Sequence, residues 1–264
     1  MDGAPGKNVI LKVEGVSKSF GSVVALNKIC FELYENEIVG IVGDNGAGKS
    51  TLIKIISGNF SADEGDIYFY GKRIHFRSPS DARKVGIETV YQDLSICNNL
   101  DSVSNIFIGR EIYQNILGFE VLNQNKMVKK TIEVLNRVGI HIPSVFEKME
   151  YLSGGQRQAV ALGRFVAWGK RLILLDEPTA ALGVRETRKV LDLIKDTGKT
   201  NVSIILITHN LQQMFEIVDR IIVLRHGEIV GTRKKRETTP DEIVSLITGA
   251  VFVNQPNEVN NKFQ

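Results

Sequence analysis

Apolar and polar positions alternate from Val9 to Leu33, with Val9, Leu11 and Val13 on one face and Ile29, Phe31 and Leu33 repeating the pattern further on. A period of two is that of half-buried antiparallel strands. Residues 67–70, entered through the turn-forming Asp63, Glu64, Gly65 and Asp66 and left through Gly71, predict another strand of this kind. Four further segments, 38–42, 172–175, 202–207 and 221–224, are apolar runs, with Ser203 the one polar residue among them. Such runs are expected where helices cover both faces of a parallel sheet, and helical patterns do separate them. Residues 49–57 predict a helix stopped at Gly58. Between about Asp93 and Tyr151 the strand signals fade, while Val128, Ile132, Leu135 and Val138 recur at the spacing of one helix face. A helical insertion over about residues 93–158 is expected there. One domain over 9–249 is expected, between a flexible N-terminus at 1–8 and a short, Asn-rich, flexible tail at 250–264.

Composition narrows the classes. At 264 residues, with 43% hydrophobic and 24% charged positions, the chain can bury a core without disulfide staples. A net charge of +3, with Lys and Arg scattered evenly, gives no electrostatic ground for a nucleic-acid partner. The basic run Arg233, Lys234, Lys235, Arg236 reads as a solvated loop. Cys30 and Cys97 lie far apart in no metal-ligand spacing, which fits a reducing cytosol. Met1 to Asn8 carry Gly and Pro where a secretory signal would be apolar, and no stretch approaches the length of a membrane span. The chain is not expected to cross a membrane.

The chemistry starts at Gly43, Asp44, Asn45, Gly46, Ala47, Gly48, Lys49 and Ser50, followed by Thr51, between a buried strand and a helix. This is a P-loop in its required context. Glycines let successive N–H groups turn toward phosphates, and the helix N-terminus adds partial positive charge. Lys49 brings a full charge to the terminal phosphates of ATP, and the Ser50 hydroxyl can ligate Mg²⁺. The apolar run ending at Leu175 places Asp176 and Glu177 at the C-terminal edge of a buried strand, where α/β sheets bind ligands. Asp176 suits the metal, through water, and Glu177 suits polarising the attacking water. His209 lies just past the run 202–207, within reach of the same edge and able to donate to the γ-phosphate, although a lone histidine there is usually structural. Gln92 can contact the metal and the water, or stand as a surface glutamine. The expected fold class is α/β, a P-loop parallel sheet core with an antiparallel β subdomain and an inserted helical subdomain.

Leu152, Ser153, Gly154, Gly155 and Gln156, just upstream of Asp176 and Glu177, resemble the signature motif of the ABC (ATP-binding cassette) ATPases. The resemblance covers roughly residues 9–249 and orders the remaining candidates. Gln92 resembles the Q-loop glutamine, His209 the switch histidine, and Phe20 the aromatic that stacks on adenine. It also implies that Ser153 and the amides of Gly154 and Gly155, ahead of a helix beginning near Gln156, form a second phosphate-binding end. In the family two cassettes meet head to tail, and each ATP lies between the P-loop of one and the signature of the other.

Residues 91–93, 98–101, 106–111 and 177–183 resemble more narrowly the ATPases of bacterial monosaccharide importers. The family's common D-loop ends in Asp where Gly183 stands here, as this branch often has it. The segment before Leu152 lacks the Gly-Glu-Gly pattern of exporters, which favours import. The resemblance implies ATP and Mg²⁺ as ligands, a second cassette in a homodimer, and an integral membrane permease at the cytoplasmic face. An extracytoplasmic sugar-binding protein would act indirectly. Residues 94–111 are the expected permease contact, although Ile106, Phe107 and Ile108 can equally be local core. The alternative is a soluble ABC ATPase acting on nucleic acid or ribosomes, which predicts a long coiled-coil insertion, tandem cassettes or a strongly basic face. None is visible in the sequence.

Overall fold

The computed structural model describes residues 8–92 and 96–250. Most of both expected tails, and Asp93, Leu94 and Ser95 from the segments named above, lie outside them.

The alternating N-terminal pattern forms β1 (Val9–Phe20) and β2 (Val23–Tyr34), an antiparallel hairpin. Next, β3 (Ile38–Val42) leads through the Gly-rich loop into α1 (Lys49–Ile56). Two further strands, β4 (Glu64–Phe69) and β5 (Lys72–Ile74), complete a four-stranded sheet of order β2-β1-β4-β5. The turn expected at 63–66 is mostly strand: Glu64 to Asp66 belong to β4, and Gly65, at φ 83°, sits against Gly15 where the register of β1 and β4 shifts.

The chain then forms α2 (Pro79–Val85) and β6 (Ile87–Val90). Within the insertion lie α3 (Ser102–Phe107), β7 (Tyr113–Ile116), β8 (Phe119–Leu122) and α4 (Gln124–Val138), and α5 (Gly154–Trp168) begins in it and runs past its expected end near 158. After it come β9 (Leu172–Asp176), α6 (Val184–Gly198), β10 (Ser203–Ile207), α7 (Leu211–Ile217), β11 (Arg220–Arg225), β12 (Glu228–Lys234) and α8 (Pro240–Thr248). The second sheet has the order β12-β11-β3-β10-β9-β6 and is parallel except at β12.

Every residue of β3, β9 and β10 is buried, which is why their sequences carry no polar alternation. Successive side chains serve different cores. Val39, Ile41, Leu172, Leu174, Ile205 and Ile207 pack toward α1 and the antiparallel sheet. Ile38, Val42, Ile173, Leu175, Ile204 and Leu206 pack with residues of α5, α6 and α7. The parallel sheet is thus a rigid plate whose C-terminal edge holds the loops after β3, β9 and β10.

Three expectations need correction. The insertion is not wholly helical, because β7 and β8 form a hairpin through Leu117 (φ 52°) and Gly118 (φ 89°). Both of its faces are exposed, so it shows no buried alternation that a sequence pattern could reveal. The inward stripe of α4 is Met127, Thr131, Val134, Leu135 and Val138, with Ile132 45% exposed. Finally, Arg233 and Lys234 end β12 rather than sitting in a loop; Arg233 pairs with Glu242 at 2.7 Å and Lys234 with Glu237 at 3.2 Å. The open alternative for residues 106–108 also divides: Ile106 and Phe107 are core of the insertion, whereas Ile108 is exposed.

A buried ion pair joins the insertion to the sheet. Glu88 of β6, 3% exposed, accepts a hydrogen bond from Arg110 at 2.6 Å, with Arg164 of α5 and Arg83 of α2 adding positive field. Burial pushes the Glu88 carboxyl above its ordinary value, and these arginines oppose the shift. Removing the carboxylate leaves the cationic groups without its charge in a largely buried setting. Glu88→Ala is therefore expected to lower stability by about 3–5 kcal/mol, read by denaturant unfolding.

Candidate ATP-binding site

The loop between β3 and α1 is shaped by two close approaches. Gly43 packs against the carbonyl oxygen of Leu224, and Gly48 takes φ 102° with a Cβ position only 2.5 Å from the Ala25 carbonyl oxygen. A side chain at either position collides with backbone. Gly48 is also the N-cap of α1 and supplies no side-chain cap, so the first N–H groups of the helix face the loop without that partner. Lys49 folds back over the loop, donating from Nζ to the carbonyl oxygens of Gly43 (2.7 Å) and Asp44 (2.9 Å). Burial lowers its pKa, opposed by the carboxylates of Glu177, Asp176 and Asp44.

A cleft of about 390 Å³ opens above this loop. Its lining combines Asn45 to Thr51 with Gln92, Asp176, Glu177, Ile207 and His209, plus Val23, Val24 and Ala25 of β2. Asp176 is 4% exposed and hydrogen-bonds the Ser50 side chain. Its pKa is raised by burial; the Ser50 bond opposes this and the Glu177 charge adds to it. A hydroxyl and a carboxylate in contact, with the Gln92 amide on the same lining, form an all-oxygen donor set that fits a hard divalent cation. Among the described residues no group of three or more His, Cys, Asp and Glu could hold a metal.

Glu177 has a left-handed backbone, φ 52°, which costs a non-Gly residue about 1–3 kcal/mol. The Glu177 N–H donates to the Ile207 carbonyl oxygen at 2.9 Å. Its carboxylate oxygen Oε1 accepts from the His209 backbone N–H at 2.9 Å and lies 2.9 Å from His209 Nδ1. The carboxylate is nearly buried while the imidazole side chain is 78% exposed, so the histidine spans from Glu177 to solvent.

Of the predicted residues, Gly43 and Asp44 do not line the cleft and meet Lys49 Nζ through their carbonyl oxygens. Two further groups lie elsewhere. Phe20, 45% exposed, does not line the cleft; it meets Phe60 edge-on at 5.4 Å between ring centroids. The exposed apolar residues on the cleft are Val23 and Val24, just across the hairpin turn. Their place beside Phe20 was the only sequence signal for them. Ser153, Gly154, Gly155 and Gln156 are also absent from the cleft. Helix α5 starts at Gly154, earlier than expected, because Ser153 and Gln156 form a reciprocal capping box. The Ser153 oxygen accepts from Gln156 N–H at 3.3 Å, and Gln156 Oε1 accepts from Ser153 N–H at 2.9 Å. Gly155 stands beside Ala181 and Leu182 of the loop after Glu177, where a Cβ would meet the Ala181 carbonyl oxygen at 3.5 Å. One chain therefore presents a cleft above the Gly-rich loop and a separate capped helix end.

Comparison with known proteins agrees with this geometry. A family model described as ABC transporter matches residues 26–180, more than half of the chain. The xylose/arabinose import ATP-binding protein XylG of Sulfolobus acidocaldarius is 48% identical, over 90% of this chain and 94% of its own. The fructose import ATP-binding protein FrcA of Rhizobium meliloti is 44% identical, over 91% and 94%. Among solved structures, the cassette MJ0796 in a dimeric post-hydrolysis state bound to ADP and Pi has a TM-score of 0.76. It is 26% identical and covers 87% of this chain and 100% of that one. With the P-loop, the Asp-Glu strand end and the signature in one cassette fold, this chain belongs to the ABC transporter family and is an ATP-hydrolysing cassette.

Proposed function

We propose that two copies of this chain enclose two MgATP and drive uptake of a monosaccharide through a separate membrane permease at the cytoplasmic face. An extracytoplasmic binding protein would supply the sugar. The observation that carries the dimer is the separation of the cleft from the capped end at Ser153 within one chain. Head-to-tail pairing brings the P-loop of one copy to the signature of the other. The sugar reading rests on the relatives, which are named as xylose/arabinose and fructose import proteins.

In this reading Lys49 exchanges its loop carbonyls for the terminal phosphates, and the α1 N-terminus and Ser153 of the opposing copy neutralise the remaining charge. Ser50, Asp176 and Gln92 would hold Mg²⁺, which would supply charge neutralisation of the nucleotide's phosphates. Glu177 takes a proton from water as its oxygen adds to the γ-phosphorus and ADP leaves. With Nδ1–H donated to Glu177, His209 donates from Nε2 to the γ-phosphate only as imidazolium; the neutral ring offers a lone pair there. Phe20 can stack on adenine only by extending over the rim that Val23 and Val24 form. The surface beyond Gln92 supports a permease contact, since Ile108, Leu117 and Phe119 are 43%, 94% and 74% exposed.

Co-expression with its permease and reconstitution in vesicles tests this. Monosaccharide-loaded binding protein is expected to raise ATP hydrolysis several-fold. A chain that fails to join the permease, and whose ATPase responds instead to nucleic acid in a salt-dependent manner, would refute it.

A further inference from the structure

A buried side-chain hydrogen bond ties the loop after Glu177 to the signature helix. Gln158 lies on α5 about 7.5 Å along the axis from Ser153, at 1.5 Å per residue. It is 2% exposed, and its Nε2 donates to the Pro178 carbonyl oxygen at 2.7 Å. Pro178 directly follows Glu177, whose left-handed backbone removes it from regular structure. On the far side the loop is tied to α7, where Thr179 Oγ1 bonds Gln213 Oε1 at 2.9 Å. That helix starts at Leu211, with Asn210 as its cap, immediately after His209. The chain Ser153, Gln158, Pro178, Glu177 and His209 therefore runs continuously from the signature end to the residues on the cleft.

We propose that Gln158 is a positioning residue that couples seating of the signature end on the opposing copy's nucleotide to placement of Glu177 in its own cleft. The idea rests on the two-half-site reading above. A small shift of α5 along its axis moves the Gln158 amide, and the Pro178 carbonyl follows because a buried amide left unpaired is costly. Pro178 is bonded to Glu177 and its ring fixes φ, so the shift is passed directly to the Glu177 backbone that carries the carboxylate. Glu177 is responsive because its φ of 52° is held by the surrounding contacts rather than by local preference. Occupancy of one site is thus reported to the other inside each chain, as well as across the interface.

The test uses Gln158→Leu and Gln158→Met, which fill the space without a donor, each checked for an unchanged melting transition. The expected result is a kcat lower by about 10-fold, the loss of one buried hydrogen bond acting on the transition state. KM for ATP stays within about 2-fold, because the phosphate cradle is untouched, and the Hill coefficient for ATP falls toward 1. Wild-type kcat and Hill coefficient in folded variants would overturn the coupling role. A raised KM with a lowered melting temperature and an unchanged Hill coefficient would overturn it too, by showing a packing role only. The parent reading is separated by ATP-dependent dimerisation of Glu177→Gln: if that chain never dimerises, the two-half-site reading itself fails, whatever Gln158 does.

Discussion

Glu177→Gln is expected to bind MgATP with near wild-type affinity while its hydrolysis rate falls by about 10²- to 10⁴-fold, the usual contribution of a positioned general base. The amide keeps the side chain's shape and can still meet His209, but it cannot accept the proton of the attacking water. The geometry makes this a clean substitution. Glu177 Oε1 takes two bonds from His209, one from the backbone N–H and one from the ring, so the position stays ordered without the charge. Asp176 loses an anionic neighbour that raises its pKa, which favours its ionised form and so metal binding. Steady-state phosphate release checks the rate and equilibrium nucleotide titration checks the affinity. An unchanged rate would remove Glu177 from the base role.

Lys49→Ala is expected to act on binding instead. A charge-assisted hydrogen bond is worth about 1.5–3 kcal/mol, so affinity for ATP should fall by about 10- to 100-fold. The ammonium is already desolvated by burial and held by the Gly43 and Asp44 carbonyls, so little ordering is needed when phosphate displaces them. Calorimetric titration with a non-hydrolysable ATP analogue reads the loss. Wild-type affinity would contradict the assignment of this loop as the phosphate cradle.

What the sequence made legible follows from burial. Strands β3, β9 and β10 announce themselves because both faces are covered, leaving no polar residue in 38–42, 172–175 or 204–207. The P-loop is legible because the close approaches at Gly43 and Gly48 exclude every other residue type. The β7–β8 hairpin lacked a signal for the opposite reason, since nothing covers either face and polar and apolar residues are placed without regard to the pleat. On α4, Ile132 misled because apolar identity is not burial: Thr131, wholly buried, occupies the inward position beside it. Relations between distant residues left no trace either. The Glu88–Arg110 pair and the Gln158–Pro178 bond become visible only when β6, α3, α5 and the loop after β9 are brought together. Likewise, that Val23 and Val24 rather than Phe20 line the cleft depends on the course of one hairpin turn.

The central claim is that this cleft is half of a site, completed by the signature end of another copy. Sedimentation velocity of the Glu177→Gln chain, with and without saturating MgATP, tests it most directly. The account predicts single chains without nucleotide, two-chain particles with MgATP, and a return to single chains when Ser153→Arg is added to the same chain. Single chains that carry bound ATP at every protein concentration would contradict it.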